Sequence, residues 1–250
     1  MSPQPALSVQ GLCKSFGALE VTRSVELELL PGARVGLIGP NGAGKTTLIN
    51  LLSGVLRPDA GHIQLAGVPI ERLRPEQRVR HGLARTHQIN TLLPEASALD
   101  TVALAVAERE RLGWRIVLSR RRWSRCRDEA YARLEEIGIA SDAQRPVREL
   151  SYGQQRLLEI AIALALKPRV LLLDEPAAGV PSGEASVIHE ALGRLPAEMA
   201  ILLIEHDMDL VFRFATELVV LVQGSVLSRG TPEQTRADVR VRAAYLGSRG

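Results

Sequence analysis

The chain has 250 residues, of which 46% are hydrophobic, and this is enough for a core that buries roughly 70–75% of the unfolded surface. Its 31 basic and 28 acidic residues give a net charge of +3, which does not require nucleic acid or an anionic membrane as a partner. The two cysteines, Cys13 and Cys126, show neither metal-binding spacing nor a disulfide framework, as expected of a reducing cytoplasm. We expect neither a membrane span nor a signal peptide, so a membrane role would require a partner.

Strands and helices follow one another in a recognisable order. Three strands are predicted in 7–38, from LSVQGL, VTRSVELEL and ARVGLIG, and a helix is predicted over 44–54. A strand (HIQLAG) and a short helix (RPEQRVRHG) come next. Long glycine-poor stretches with helical spacing then fill 89–155, and the apolar runs VLLLDE, MAILLIE and LVVLVQGSVLS mark strands separated by helices. The sequence predicts an α/β core, 1–88 and 156–250, interrupted by a helical subdomain, 89–155.

A glycine-rich segment connects the third strand to the helix that follows it. It matches the phosphate-binding pattern GxxxxGK[ST] in the strand-to-helix context that this pattern requires. Its glycines are expected to adopt positive φ and to direct backbone N–H groups at phosphate, while Lys45 reaches the β- and γ-phosphates and Thr46 ligates Mg²⁺. The nucleotide-binding candidates are Gly39, Pro40, Asn41, Gly42, Ala43, Gly44, Lys45, Thr46 and Thr47.

Two carboxylates end the buried strand VLLLDE. Asp174 is expected to hold Mg²⁺, and Glu175 is placed to orient or deprotonate water. The alternative interpretation is a solvated acidic pair at a strand end with no role in binding. The phosphate-binding segment upstream makes that interpretation much weaker. Together the two motifs predict a P-loop NTPase core, with a mixed sheet flanked by helices, that uses a nucleoside triphosphate and Mg²⁺.

The segment Leu150–Arg156, LSYGQQR, narrows the choice among P-loop enzymes. Ser151 stands where a helix N-cap belongs, and Gly153 allows close approach of backbone N–H groups to an anion. An ordinary capped helix would also explain these residues. The segment resembles the signature of the ABC ATPases, usually LSGGQ, with Tyr152 replacing the first glycine. This resemblance implies that the nucleotide is ATP and that Ser151, Gly153 and Gln154 bind it.

Further elements occur in the order typical of the ABC ATPases. Phe16 lies upstream of the P-loop, where the family places an aromatic ring on adenine, and Asp174-Glu175-Pro176 matches the end of its Walker B strand. Gln88 matches the glutamine loop, and His206 in LLIEHD matches the switch histidine. These matches imply a catalytic role for both residues and contact of Gln88 with Mg²⁺. Each of Phe16, Gln88 and His206 has a plain structural explanation when it is taken singly. Together, in this order, the matching segments extend over nearly the whole chain, which is very hard to obtain by accident.

Four segments look like those of ATPases that serve branched-chain amino acid importers. They are LSYGQQR, GLARTHQ, DEPAAG and GTPEQTRADVRVRAAYLG. The alternatives are ATPases for urea or amide import or for lipopolysaccharide export, and a non-transport ABC protein. The resemblance implies transmembrane permease subunits, a second ABC ATPase subunit and, indirectly, a periplasmic substrate-binding protein as partners, with no nucleic acid. It also implies a peripheral position on the cytoplasmic face of the inner membrane.

Two positions depart from the importer pattern. His87 replaces the usual phenylalanine where the transmembrane partner docks, and Pro181 stands where many ABC ATPases have the D-loop aspartate and the importer group often has asparagine. Proline removes a side-chain contact across the expected ATPase dimer. Coupling to the permease and communication between the two ATP sites are therefore expected to differ.

Overall fold

The computed structural model describes residues 4–86, 92–112 and 119–246, and in these residues ten strands and nine α-helices are assigned. The strands are β1 (Leu7–Phe16), β2 (Leu19–Leu29), β3 (Arg34–Ile38), β4 (Ala60–Leu65), β5 (Val68–Pro69), β6 (Leu83–Arg85), β7 (Val170–Asp174), β8 (Ala200–Ile204), β9 (Glu217–Val222) and β10 (Ser225–Gly230). The helices are α1 (Lys45–Ser53), α2 (Pro75–Arg80), α3 (Ala98–Arg109), α4 (Arg120–Glu136), α5 (Tyr152–Ala165), α6 (Ser182–Gly193), α7 (Met208–Phe214), α8 (Pro232–Ala237) and α9 (Val239–Leu246).

The chain divides into two units. The first comprises Met1–Ala84, Arg169–Glu175 and Ala197–Gly250, and the second comprises Arg85–Pro168 and Pro176–Pro196. The range 89–155, for which a helical subdomain is expected, falls inside the second unit. That unit also includes the rest of α5, which begins inside this range at Tyr152, and α6, which follows it in the chain.

A six-stranded sheet in the order β10-β9-β3-β8-β7-β6 carries the motifs of the first unit. Its strands β9, β3, β8 and β7 are parallel, and β10 runs antiparallel to β9. The apolar runs of β7 and β8 are buried throughout, except for Asp174 at the end of β7, because parallel strands are covered on both faces. The carboxyl ends of β3, β7 and β8 meet at one edge, which brings the segments that follow them together.

A second sheet of the first unit has the order β2-β1-β4-β5 and is antiparallel. Alternation of apolar and polar residues along β2 buries Val25, Leu27 and Leu29 while the intervening glutamates stay exposed. The β1–β2 hairpin closes with Phe16 opposite Leu19, so Phe16 lies at its tip. The mixed six-stranded sheet and its flanking helices are the predicted P-loop NTPase fold class.

Helices α3, α4, α5 and α6 form most of the second unit. The helices bury apolar side chains between them: Val102 and Val106 of α3, Leu134 of α4, and Leu157 and Ile160 of α5. In α3 and α5 the spacing of four or three residues places each pair on one face of its helix. Arg109 at the end of α3 holds this group together. Its guanidinium donates to Glu129 of α4 and to the carbonyl of Ala165 at the end of α5, at 2.7 Å each.

Within the described residues, no helix has the length and apolar character needed to cross a lipid bilayer.

Candidate functional site

The P-loop of the first unit, residues 39–47, leaves β3 and enters α1 through backbone conformations that favour glycine. Gly42 and Gly44 have φ of 77° and 99°, and Gly44 is the N-cap residue of α1. A Cβ on Gly39 would lie 2.1 Å from the carbonyl oxygen of Leu221, and one on Gly44 would lie 2.7 Å from that of Val21. The expected positive φ values are therefore present, and the loop packs too closely against β2 and β9 for larger residues.

Lys45 lies at the start of α1 with its side chain folded back over the loop. Its ammonium donates to the carbonyl oxygens of Gly39, at 2.7 Å, and Pro40, at 3.1 Å. Burial lowers the pKa of Lys45, and the negative charge of Glu175 opposes this effect. A buried cation beside a glycine-rich loop at a helix N-terminus is suited to a polyphosphate.

Glu175 and His206 follow the neighbouring parallel strands β7 and β8. Glu175 Oε1 lies 2.8 Å from His206 Nε2, and both side chains remain substantially exposed. The Glu175 backbone has φ of 49°, unusual for a non-glycine residue, and its N–H donates to the carbonyl of Ile204 at 2.9 Å. The sheet therefore supplies a carboxylate and an imidazole in contact, near the Lys45 charge, as water activation requires.

The remaining predicted residues of the first unit lie at defined positions. Asp174 ends β7, and Thr46 is exposed in the first turn of α1. Their hydroxyl and carboxylate oxygens are ligands that Mg²⁺ prefers, so the donor set fits this ion. The Phe16 ring is half exposed, and the Lys14 ammonium, which donates to Asp59 at 2.7 Å, lies 5.7 Å from its centroid.

The second unit contains the signature residues at the start of α5. Ser151 is the N-cap, as predicted, and it forms a capping box with Gln154: the Ser151 hydroxyl accepts from the Gln154 N–H, and the Gln154 side chain accepts from the Ser151 N–H. The Gln154 amide also donates to Asp142 at 2.8 Å. Gln154 is thus already engaged in ordering the helix start.

Tyr152, the departure from the usual signature, packs against the turn that follows Pro176. Its hydroxyl donates to the carbonyl of Ala178 at 3.2 Å, and a Cβ on Gly179 would lie 3.0 Å from that hydroxyl. Arg156 lies against the same ring, with its guanidinium carbon 5.5 Å from the centroid. The tyrosine therefore ties the signature helix to the loop before α6.

Two residues of interest escaped the sequence reasoning. Glu184 in the first turn of α6 accepts hydrogen bonds from Ser151 and Gly153. Tyr245 of α9 forms a hydrogen bond with the Gly39 backbone, and burial raises the pKa of its phenol. Neither residue lies near its partner in the sequence. Tyr245 lies within the segment GTPEQTRADVRVRAAYLG, whose family resemblance assigns no role to this residue.

Gln88 and His87 lie outside the described residues, so the predicted glutamine-loop contacts and the expected change at the permease junction stay predictions.

Comparison with known proteins decides the family. The model of the ABC transporter family matches residues 22–178, more than half of the chain. The chain belongs to this family. It is 41% identical over 251 residues to the high-affinity branched-chain amino acid transport ATP-binding protein LivG of Escherichia coli (strain K12), and 39% identical over 253 residues to BraF of Pseudomonas aeruginosa, which has the same description. Each alignment covers 98% of this chain and 98% of the relative.

Solved structures agree with this assignment. A nucleotide-free ATP-binding cassette from an ABC transporter matches with a TM-score of 0.83 and 28% identity, covering 96% of this chain and 98% of that one. The ADP conformation of a cassette matches with a TM-score of 0.82 and 29% identity, covering 97% and 99%. The predicted fold class and the predicted resemblance to branched-chain amino acid importer ATPases are confirmed. This cassette is an ABC ATPase.

Proposed function

We propose that this chain binds and hydrolyses ATP to power an importer of branched-chain or related amino acids. The contact between Glu175 and His206, beside the glycine-rich loop that holds Lys45, is the observation that carries the proposal. The similarity to LivG and BraF supports the amino acid substrate class, because it extends over almost the full length of both chains.

In the proposed reaction, Lys45 and the backbone N–H groups of the P-loop bind the β- and γ-phosphates, and Phe16 stacks on adenine. Glu175 orients a water molecule toward the γ-phosphate and accepts its proton, while His206 holds the Glu175 carboxylate in place. Thr46, Asp174 and Gln88 would hold Mg²⁺, which neutralises phosphate charge when bound. The other P-loop residues shape the cradle around the phosphates.

The proposed assembly contains two ABC ATPase subunits, either two copies of this chain or this chain and a related one. Each ATP lies between the P-loop of one subunit and Ser151, Gly153 and Gln154 of the other. ATP then favours the closed dimer and hydrolysis allows reopening, which moves the transmembrane permease subunits. The assembly lies on the cytoplasmic face of the inner membrane and receives its substrate through a periplasmic binding protein.

Lys45→Ala tests the P-loop part of this function. The substitution removes the ammonium that offsets phosphate charge, so ATP binding should weaken and ATP hydrolysis should be lost. Lys167→Ala removes a lysine charge elsewhere and should retain activity. Full hydrolysis by purified Lys45→Ala protein would reject the proposal.

Mixing two inactive variants tests the composite site. Ser151→Arg protein keeps its P-loop, and Lys45→Ala protein keeps its signature, so a mixed dimer has one intact site. If two copies pair, an equal mixture should regain up to about a quarter of wild-type turnover, since half of the dimers are mixed and each has one good site of two. Recovery that appears only after a related ATPase is added would show that this chain pairs with a different subunit.

A further inference from the structure

The hydrogen-bond donors at the start of α5 are occupied by a carboxylate of the same chain. The Ser151 hydroxyl donates to Glu184 Oε2 at 2.8 Å, and the Gly153 N–H donates to the same oxygen at 3.0 Å. Ser151, Gly153 and Glu184 all belong to the second unit, and Glu184 lies 33 residues after Ser151. One anionic oxygen therefore takes both of these donors.

The contact is close enough to require glycine at its centre. A Cβ on Gly153 would lie 2.5 Å from Glu184 Oε2 and 3.3 Å from Glu184 Cβ. The positive end of the α5 dipole, and first-turn N–H groups that have no partner within the helix, favour an anion at this place. Glu184 satisfies that preference without any ligand.

Pro181 explains why Glu184 is available for this contact. Pro181 is the N-cap residue of α6, and Glu184 is the third residue of that helix. A glutamate at this position commonly accepts a hydrogen bond from the backbone N–H of its own N-cap residue, but proline has no N–H. The Pro181 side chain also has no atom that could cap α6. The Glu184 carboxylate binds the start of α5 instead.

We propose that Glu184 competes with the γ-phosphate of ATP for the donors of Ser151 and Gly153. This inference rests on the proposed function, in which those donors bind the ATP held by another subunit. A carboxylate oxygen and a phosphate oxygen require the same donors and carry the same sign of charge, so they cannot share them. Glu184 must leave before the dimer closes on ATP.

The competition acts on dimer closure and leaves the first binding step unchanged. ATP binds the P-loop of its own subunit without meeting Glu184 in this scheme, whereas closure exchanges one anion for another at α5. Closure breaks the contact of Glu184 with Ser151 and Gly153. The free energy of that contact is therefore subtracted from the free energy gained when the dimer closes. The ATP concentration that half-saturates turnover is therefore raised.

Glu184→Gln tests the competition because it keeps the shape of the side chain and removes its charge. In the active assembly, formed by two copies of this chain or with a second ABC ATPase, the KM for ATP should fall about three- to tenfold. Glu190→Gln removes a carboxylate from the exposed face of the same helix and should leave the KM unchanged. An unchanged or raised KM in Glu184→Gln protein would overturn the proposal.

Pro181→Asn provides a second, independent variant. Asparagine restores an N–H at the N-cap of α6, which gives Glu184 a partner on its own helix. The KM for ATP should fall in this variant too, and adding Glu184→Gln to it should produce little further change, because both substitutions remove one contact. Fully additive effects would contradict the shared mechanism.

Nucleotide affinity of the separate chain distinguishes the two proposals. A fluorescent ATP analogue should bind wild-type and Glu184→Gln monomers equally and bind Lys45→Ala protein weakly. Loss of the Lys45 dependence would count against the proposed function. If wild-type and Glu184→Gln monomers bind the analogue equally and the KM of the assembly is also unaltered, the proposed competition by Glu184 is wrong. The proposed function is not affected by that result.

Discussion

Glu175 Oε1 and His206 Nε2 lie 2.8 Å apart although 31 residues separate them in the chain. The contact exists because β7 and β8 are adjacent parallel strands, with Asp174 paired to Ile204, so the residues that follow them leave the sheet side by side. A carboxylate held by an imidazole has one defined orientation, which is what a water-activating group requires.

Glu175→Gln should reduce ATP hydrolysis by about 100-fold or more, which is the scale of losing a general base. ATP binding should persist, because the substitution leaves Lys45 and the P-loop intact, and an ATP-stabilised dimer should accumulate. Gel filtration with ATP and a phosphate-release assay measure the two effects. Glu26→Gln, on the exposed face of β2, is the control. Unchanged turnover together with a monomeric elution profile would show that Glu175 does not position water.

Tyr245→Phe should weaken ATP binding about two- to tenfold, since it removes a hydrogen bond to the first glycine of the P-loop. The ring itself is retained, so α9 should stay packed. Titration of a fluorescent ATP analogue measures the affinity, and Tyr131→Phe on the exposed face of α4 is the matched control. Identical affinities in wild-type protein and Tyr245→Phe would mean that α9 contributes nothing to the nucleotide site.

Arg109→Met should destabilise the second unit by about 1–3 kcal/mol, because it leaves the Glu129 carboxylate and the Ala165 carbonyl without this donor. The guanidinium of Arg109, through its hydrogen bonds, is the main reason that the pKa of Glu129 falls to about 2. Urea denaturation followed by circular dichroism measures the loss. Arg121→Met at an exposed position of α4 should change stability by less than about 0.5 kcal/mol.

Glu159 should make stability depend on pH. Burial raises the pKa of its carboxyl to about 7, Arg156 at 3.0 Å opposes this, and Glu159 Oε1 has no hydrogen-bond partner among the described residues. A raised carboxyl pKa means that the folded chain binds more protons than the unfolded chain between pH 4.5 and 7. The stability contributed by Glu159 is therefore present at low pH and lost as pH rises through this window.

The measurement compares wild-type protein with Glu159→Gln by denaturation across that window. The difference in unfolding free energy should shift against the wild type as pH rises, by up to about 3 kcal/mol. Glu190→Gln, which removes an exposed carboxylate, should show no such trend. A wild-type minus Glu159→Gln difference that is constant from pH 4.5 to 7.5 would place the Glu159 pKa near its ordinary value.

The sequence alone predicted the features that depend on contiguous residues. The P-loop, the N-cap at Ser151, the buried strands and the ABC resemblance each follow from short segments in which neighbouring residues determine backbone conformation or hydrogen bonding. Sequence order also predicted that Glu175 and His206 serve one reaction, through the family pattern.

Only the tertiary structure revealed the contacts between distant segments. Glu184 at the start of α6 has the sequence pattern of an ordinary first-turn acid, which the helix dipole alone would explain. Its contact with Ser151 and Gly153 depends on the packing of α5 against α6, as the contact of Tyr245 with Gly39 depends on the placement of α9. Side-chain partners of this kind are determined by how the helices pack. The spacing of residues along the sequence does not show which side chains that packing brings together.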